Sequence, residues 1–126
     1  MYQILIVEDE IHLAAFVAKG FRKHGYIPTV VNDGAQALVA LEDKHYDAVL
    51  LDLGLPVKDG WTVLRELRER GDTPPVIVMT ALNDVSQAVL AAKANDFLQK
   101  PFRFKMLLES VQNLIQADPS APTSGK

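Results

Sequence analysis

Apolar residues along the chain fall into five short runs, and each run precedes a stretch in which apolar residues recur at helical spacing or a shaped loop leading to one. The runs at 2–7, 27–31, 48–51, 75–79 and 96–99 have the length of buried strands rather than helices. The first helical stretch covers 10–24, with Leu13, Phe16, Val17 and Phe21 expected on its inner face and Gly25 placed to end it. Asn32-Asp33-Gly34 offers an N-cap for a second helix reaching about Asp43. Leu53 to Gly60 holds one Pro and two Gly and reads as a shaped loop. A third helix follows over 61–70 with Val63, Leu64 and Leu67 on one face, and a fourth is expected over 84–93. The last covers 103–116, with Met106, Leu107, Val111 and Leu114 predicted to face inward. Strand and helix alternate five times. That order calls for an α/β fold, a doubly wound five-stranded parallel sheet with five helices on its two faces.

Composition narrows this only slightly. A chain of 126 residues suits one domain, expected over 1–117; residues 118–126 are rich in Pro, Ser, Ala and Thr and read as a disordered tail or linker. There is no Cys, so disulfides and Cys-based zinc sites are excluded, and His12, His24 and His45 are too scattered for a ligand set. A net charge of −3 argues against direct nucleic-acid binding or attachment to a membrane. The first apolar run meets charge at Glu8, which leaves it too short for a signal peptide or a membrane span, and a cytoplasmic protein is expected.

The chemistry lies where the strands end. In an open parallel sheet the carboxyl ends of the strands line one crevice. Here they deliver Glu8 and Asp9, Asp52, Thr80 and Lys100, each following an apolar run. Like charges about 4 Å apart cost on the order of 4 kcal/mol per pair at an effective dielectric of about 20, so such a carboxylate cluster calls for a cation or a raised pKa. An all-oxygen donor set suits Mg²⁺. Carboxylate-held metal facing an ammonium and a hydroxyl makes a phosphoryl site, and Asp is itself able to take a phosphoryl group covalently. Taken singly, these residues have plainer readings: Asp52 and Thr80 as turn residues, Lys100 as a solvated charge, Glu8-Asp9-Glu10 as a helix-start signal. Together they form a site.

The residues Ile4-Leu5-Ile6-Val7-Glu8-Asp9-Glu10, Asp52-Leu53-Gly54-Leu55-Pro56 with Asp59-Gly60, Thr80-Ala81 and Phe97-Leu98-Gln99-Lys100-Pro101-Phe102 resemble the receiver domain of two-component response regulators, of the chemotaxis type. The resemblance runs from about Tyr2 to Gln116. It implies the flavodoxin-like strand order 2-1-3-4-5, for which a receiver is itself a standard example. It also implies Asp52 as phosphoacceptor with Lys100 and Thr80 assisting. Asp9 and Asp52 would bind Mg²⁺ together with the Gly54 carbonyl, Glu8 would reach it through water, and Thr80 and Phe97 would form a switch. The partners implied are a sensor histidine kinase or histidine phosphotransfer protein, and an output protein or fused output domain beyond this sequence. Such a domain is a signalling phosphoacceptor and catalyses only its own phosphorylation and slow dephosphorylation.

Several positions depart from the family pattern. Lys93 stands where Gly usually ends the fourth helix, the interval from Thr80 to Lys100 is slightly short, and Ser110 and Gln112 occupy places where Arg is expected. Gly54 and Leu82 stand at the two positions that flank the hydrolytic water, and neither has a polar side chain, which predicts a long-lived phosphoryl state. Trp61 reads as a helix-start aromatic covering the loop; Phe102 and Phe104 read either as a partner patch or as the staple of the last helix. Two rival classes fare worse. An α/β phosphatase with an Asp nucleophile would place a second Asp two residues on, where this chain has Gly54. A flavin- or nucleotide-binding flavodoxin-like module would want a Gly-, Ser- or Thr-rich first loop where this chain has Glu8-Asp9-Glu10.

Overall fold

The structure, a computed structural model, describes residues 1–71, 74–81, 88 and 92–116. Strands β1 (Gln3–Val7), β2 (Ile27–Val31), β3 (Ala48–Asp52), β4 (Val76–Thr80) and β5 (Asp96–Gln99) form one sheet in the order β2-β1-β3-β4-β5. Every neighbouring pair is parallel, so the doubly wound sheet is present in the expected order. Among the described residues the helices are α1 (Ile11–Lys23), α2 (Gly34–Asp43), α3 (Gly60–Glu69) and α4 (Phe104–Gln116). The helix expected over 84–93 falls largely outside the described residues, as do Leu82 and the tail of 118–126. No helix among the described residues is long and apolar enough to cross a membrane.

The period-two geometry of a strand divides each apolar run between two cores. Leu5, Val7, Val49, Leu51, Val76 and Val78 point to the side covered by α2 and α3, where they meet Leu38, Val63, Leu64 and Leu67. Ile4, Ile6, Leu50, Ile77 and Met79 point to the other side, against Val17 and Phe21 of α1 and Leu107 and Val111 of α4. β1, β3 and β4 are therefore covered on both faces, which is why their sequences are continuously apolar rather than alternating. β2, at one edge, is only partly covered.

Local signals set the helix ends. Asp33 caps α2 by accepting from the Gln36 amide at 2.8 Å, and Asp59 caps α3 by accepting from the Thr62 amide at 2.8 Å. Gly25 follows α1 at φ 86, and its amide donates to Arg22 O at 3.1 Å.

Two expected core positions are corrected. Phe16 is 56% exposed and Met106 is 50% exposed. The buried stripe of α1 is Ala14, Val17, Ala18 and Phe21, in which two alanines stand where a larger side chain would hold the helix off its neighbours. That of α4 is Leu107, Leu108, Ser110 and Val111. Phe102 and Phe104 pack on the core shared by these helices, which supports the staple reading. The Phe104 ring stands edge-on to Phe21 at 5.0 Å and lies over Gly20, where a Cβ would come within 2.6 Å of it.

Candidate functional site

The order of the sheet puts the ends of β1, β3 and β4 side by side, with β5 next in line. Glu8 and Asp9 follow β1, Asp52 closes β3, Thr80 closes β4, and Lys100 follows β5. A backbone bond from Lys100 N to Thr80 O, 2.7 Å, ties the last two ends together. The Lys100–Pro101 peptide is cis.

One carboxylate oxygen from each of Glu8, Asp9 and Asp52 can be chosen so that all lie within 4.8 Å of one another. Glu8 and Asp52 are buried, whereas Asp9 is exposed. Lys100 Nζ lies 2.8 Å from Glu8 Oε1 and 3.6 Å from Asp52 Oδ1. Glu8 Oε2 also accepts from the Glu10 amide at 3.0 Å. Burial pushes the Glu8 carboxyl above the usual glutamate range; bonds from Lys100 and the Glu10 amide only partly offset this, and the charge of Asp52 adds to it. For Lys100, burial acts to lower the pKa, but the bond to Glu8 and the charges of Asp52, Glu8 and Glu10 outweigh it and keep the ammonium firmly protonated. Among the described residues one ammonium thus serves the Glu8 and Asp52 carboxylates, with the Asp9 carboxylate alongside them. The donor set is hard, oxygen-only and short of positive charge, which fits a divalent cation such as Mg²⁺.

The structure brings together Glu8, Asp9, Asp52 and Lys100 as the sequence predicts. Thr80 is buried at the adjoining strand end. Gly54 is exposed beside Asp52, its amide 3.4 Å from Asp52 Oδ1. Phe97 is half-buried on the core that faces α2 and α3, two positions before the β5 partner of Thr80.

Two glycines that the sequence shows only as parts of motifs have packing roles at the site. Gly60 donates its amide to Leu53 O at 2.9 Å, and a Cβ there would stand 2.2 Å from Asp52 O. Only glycine lets α3 start against the Asp52 peptide. Gly34 plays the same part for the loop, since its Cβ would stand 2.0 Å from Lys58 O. The Asp59-Gly60 pair, a cap followed by a residue without a side chain, was the available signal.

Comparison with known proteins agrees with this geometry. Residues 4–112 match the response regulator receiver domain family. The transcriptional activator protein IrlR of Burkholderia pseudomallei is 40% identical over 116 residues, covering 90% of this chain and 50% of that protein. The chain spans about half the length of the curated relatives it matches. A Francisella response-regulator receiver domain superposes with a TM-score of 0.89 at 30% identity, covering 91% of this chain and 97% of that one. The receiver domain of a sensor histidine kinase from Pseudomonas aeruginosa, solved with a magnesium ion coordinated in its active-site cleft, gives a TM-score of 0.82 at 39% identity over 90% of this chain and 97% of that one. With its sheet order, its strand-end carboxylates and these similarities, the chain belongs to the response regulator receiver family.

Proposed function

We propose that this receiver accepts a phosphoryl group on Asp52 from a phosphohistidine donor, in a reaction that requires Mg²⁺, and then changes its surface to signal to an output protein or domain. The observation that carries this reading is the convergence of Glu8, Asp9 and Asp52 within 4.8 Å, with Lys100 Nζ 3.6 Å from the acceptor. A carboxylate oxygen of Asp52 forms the bond to phosphorus as the P–N bond of the donor breaks and the imidazole departs. The Lys100 ammonium pairs with a phosphoryl oxygen, and the Thr80 hydroxyl donates to another. Mg²⁺ held by Asp9, Asp52 and the Gly54 carbonyl, with Glu8 behind a water, would neutralise charge on the transferring group. A product bearing about −1.5 to −2 charge draws Thr80 toward it, and Phe97 turns into the space released. The domain catalyses only its own phosphorylation and dephosphorylation. We place it over 1–117, in the cytoplasm, with a sensor histidine kinase or histidine phosphotransfer protein as donor.

The test is incubation with acetyl phosphate and Mg²⁺ followed by mass spectrometry. A single phosphoryl adduct on Asp52 is expected, absent without Mg²⁺ and absent from Asp52→Asn. Uptake by Asp52→Asn at the wild-type rate overturns the assignment. For the switch, the Phe97 rotamer in a fluoroberyllate-bound crystal should differ from that of the free protein.

A further inference from the structure

Away from the strand ends, α3 and the turn before β5 enclose a second cleft. Trp61, Arg65, Arg68 and Glu69 recur at helical spacing along one side of α3 and form one wall; Ala92 and Lys93 form the other. Its volume is about 470 Å³. Arg68 is fixed there, donating from Nε to Lys93 O at 3.0 Å, from Nη1 to Pro74 O at 3.1 Å and from Nη2 to Asn95 Oδ1 at 3.0 Å. Trp61 is half-buried and packs on the core, so its ring is a held surface. Arg65 and Lys93 are exposed, and among the described residues neither is in an ion pair.

We propose that this cleft binds a nucleoside phosphate. Among the described residues three cations and one carboxylate line it, in a chain whose net charge is −3, so their field favours an anion. The indole offers a stacking face for a base, and base–aromatic stacking is sequence-tolerant. Arg65 can grip a phosphate in a bidentate manner, and Lys93 can add a point charge across the cleft. The volume lies within the roughly 300–1,000 Å³ of small-ligand pockets and suits one nucleotide rather than a partner helix. The position also suggests a consequence. Arg68 grips the carbonyl of Lys93, and Asn95 binds Val76 through both its amide, at 2.8 Å, and its side chain, at 2.8 Å. A ligand bridging Arg65 and Lys93 therefore bears on the start of β5, the strand that ends at Lys100.

Trp61 is the only tryptophan in the chain, so its fluorescence reports on the cleft. The experiment titrates the protein, without Mg²⁺, with AMP, GMP, ADP and GDP, and repeats the titration by calorimetry. Saturable quenching with one-to-one stoichiometry is expected for at least one nucleotide. Affinity should fall roughly tenfold or more in Arg65→Glu and in Lys93→Glu, both exposed positions where folding is not at stake. Inorganic phosphate, lacking the base, should bind at least about tenfold more weakly. Absence of saturation by all four nucleotides in the millimolar range overturns the proposal. So does wild-type affinity in a protein carrying both Arg65→Glu and Lys93→Glu, or saturation by a hexaglutamate peptide with none by nucleotides.

Discussion

Gly54 and Gly60 both lie shortly beyond Asp52, yet they are glycine for different reasons. Gly60 is enforced by packing, because a Cβ would strike the Asp52 carbonyl. Gly54 is not: a Cβ there would meet nothing within 4 Å, and its φ lies outside the left-handed region. Its lack of a side chain is then a chemical property of the site. Hydrolysis of an aspartyl phosphate needs a water held in line with phosphorus, and positioning supplies most of the catalysis in phosphoryl transfer. With no polar group at Gly54, the phosphoryl state should decay slowly, whereas Gly54→Asn, which introduces a neutral amide into open space, should decay about threefold faster or more. The measurement is loss of label from purified phosphoprotein in Mg²⁺; equal or slower decay in the variant refutes the argument. Leu82, the other flanking position, lies outside the described residues. Glu8, Asp9, Asp52, Thr80 and Lys100 were legible as candidates because each follows an apolar run at a strand end, and the sheet order places those ends side by side. The sequence did not reveal the roles of Gly34 and Gly60, which depend on contacts between backbones that no periodicity records.

At the scale of elements, the loop from β3 to α3 carries visible strain. Val57 has φ 69 and is flanked by a bond from Lys58 N to Pro56 O of 2.8 Å, the pattern of a γ-turn centred on a β-branched residue. Its side chain is 79% exposed, so packing does not compensate. Val57→Gly should raise stability by about 1 kcal/mol, a rise of a few degrees in Tm by calorimetry, because the relief of a left-handed β-branched residue exceeds the entropy that glycine adds to the unfolded chain. An unchanged or lower Tm contradicts this. Lys93, foreseen as a departure from glycine, does lie at φ 71. Val57 was not foreseen, since Pro-Val-Lys carries no left-handed signature. Ser110 and Gln112, the other departures, have local tasks: Ser110 Oγ donates to Asp96 Oδ2 at 2.5 Å, and the Gln112 side chain bonds to Tyr26. Burial and the neighbouring Tyr2 raise the Tyr26 pKa above its usual 10.0, with Gln112 acting the other way. Between that ordinary value and the raised one, the unfolded chain has lost a proton that the folded chain keeps, so stability falls as pH rises through the window. Denaturant titrations above pH 10 should therefore show a shallower decline for Tyr26→Phe than for wild type, and parallel curves would exclude the effect.

For the molecule as a whole, the two cores and the polar strand ends are separate requirements on the same five strands. The cores made the fold legible: runs apolar throughout fit strands covered on both sides, and their alternation with helical stretches called for an α/β sheet before any side chain was placed. The faces of α1 and α4 were less legible, because the search for large apolar residues favoured Phe16 and Met106 while close approach to the sheet selects Ala14, Ala18 and Ser110. The strand ends carry a cost that the cores must cover, since Glu8 is buried beside Asp9 and Asp52 with one ammonium among them. A cation that binds only the folded state stabilises it by mass action, roughly 1.4 kcal/mol at ten times its Kd. Mg²⁺ should accordingly raise Tm by a few degrees in wild type, with the increment saturating as the metal is titrated. Asp9→Ala removes an exposed carboxylate and one of the three like charges while leaving both cores untouched. That variant should be at least as stable as wild type without metal and should lose the response to Mg²⁺. Scanning calorimetry of the two proteins with Mg²⁺, and with equal ionic strength supplied by NaCl, separates site binding from screening. An Asp9→Ala protein whose Tm rises with Mg²⁺ as much as wild type would place the metal somewhere other than this cluster.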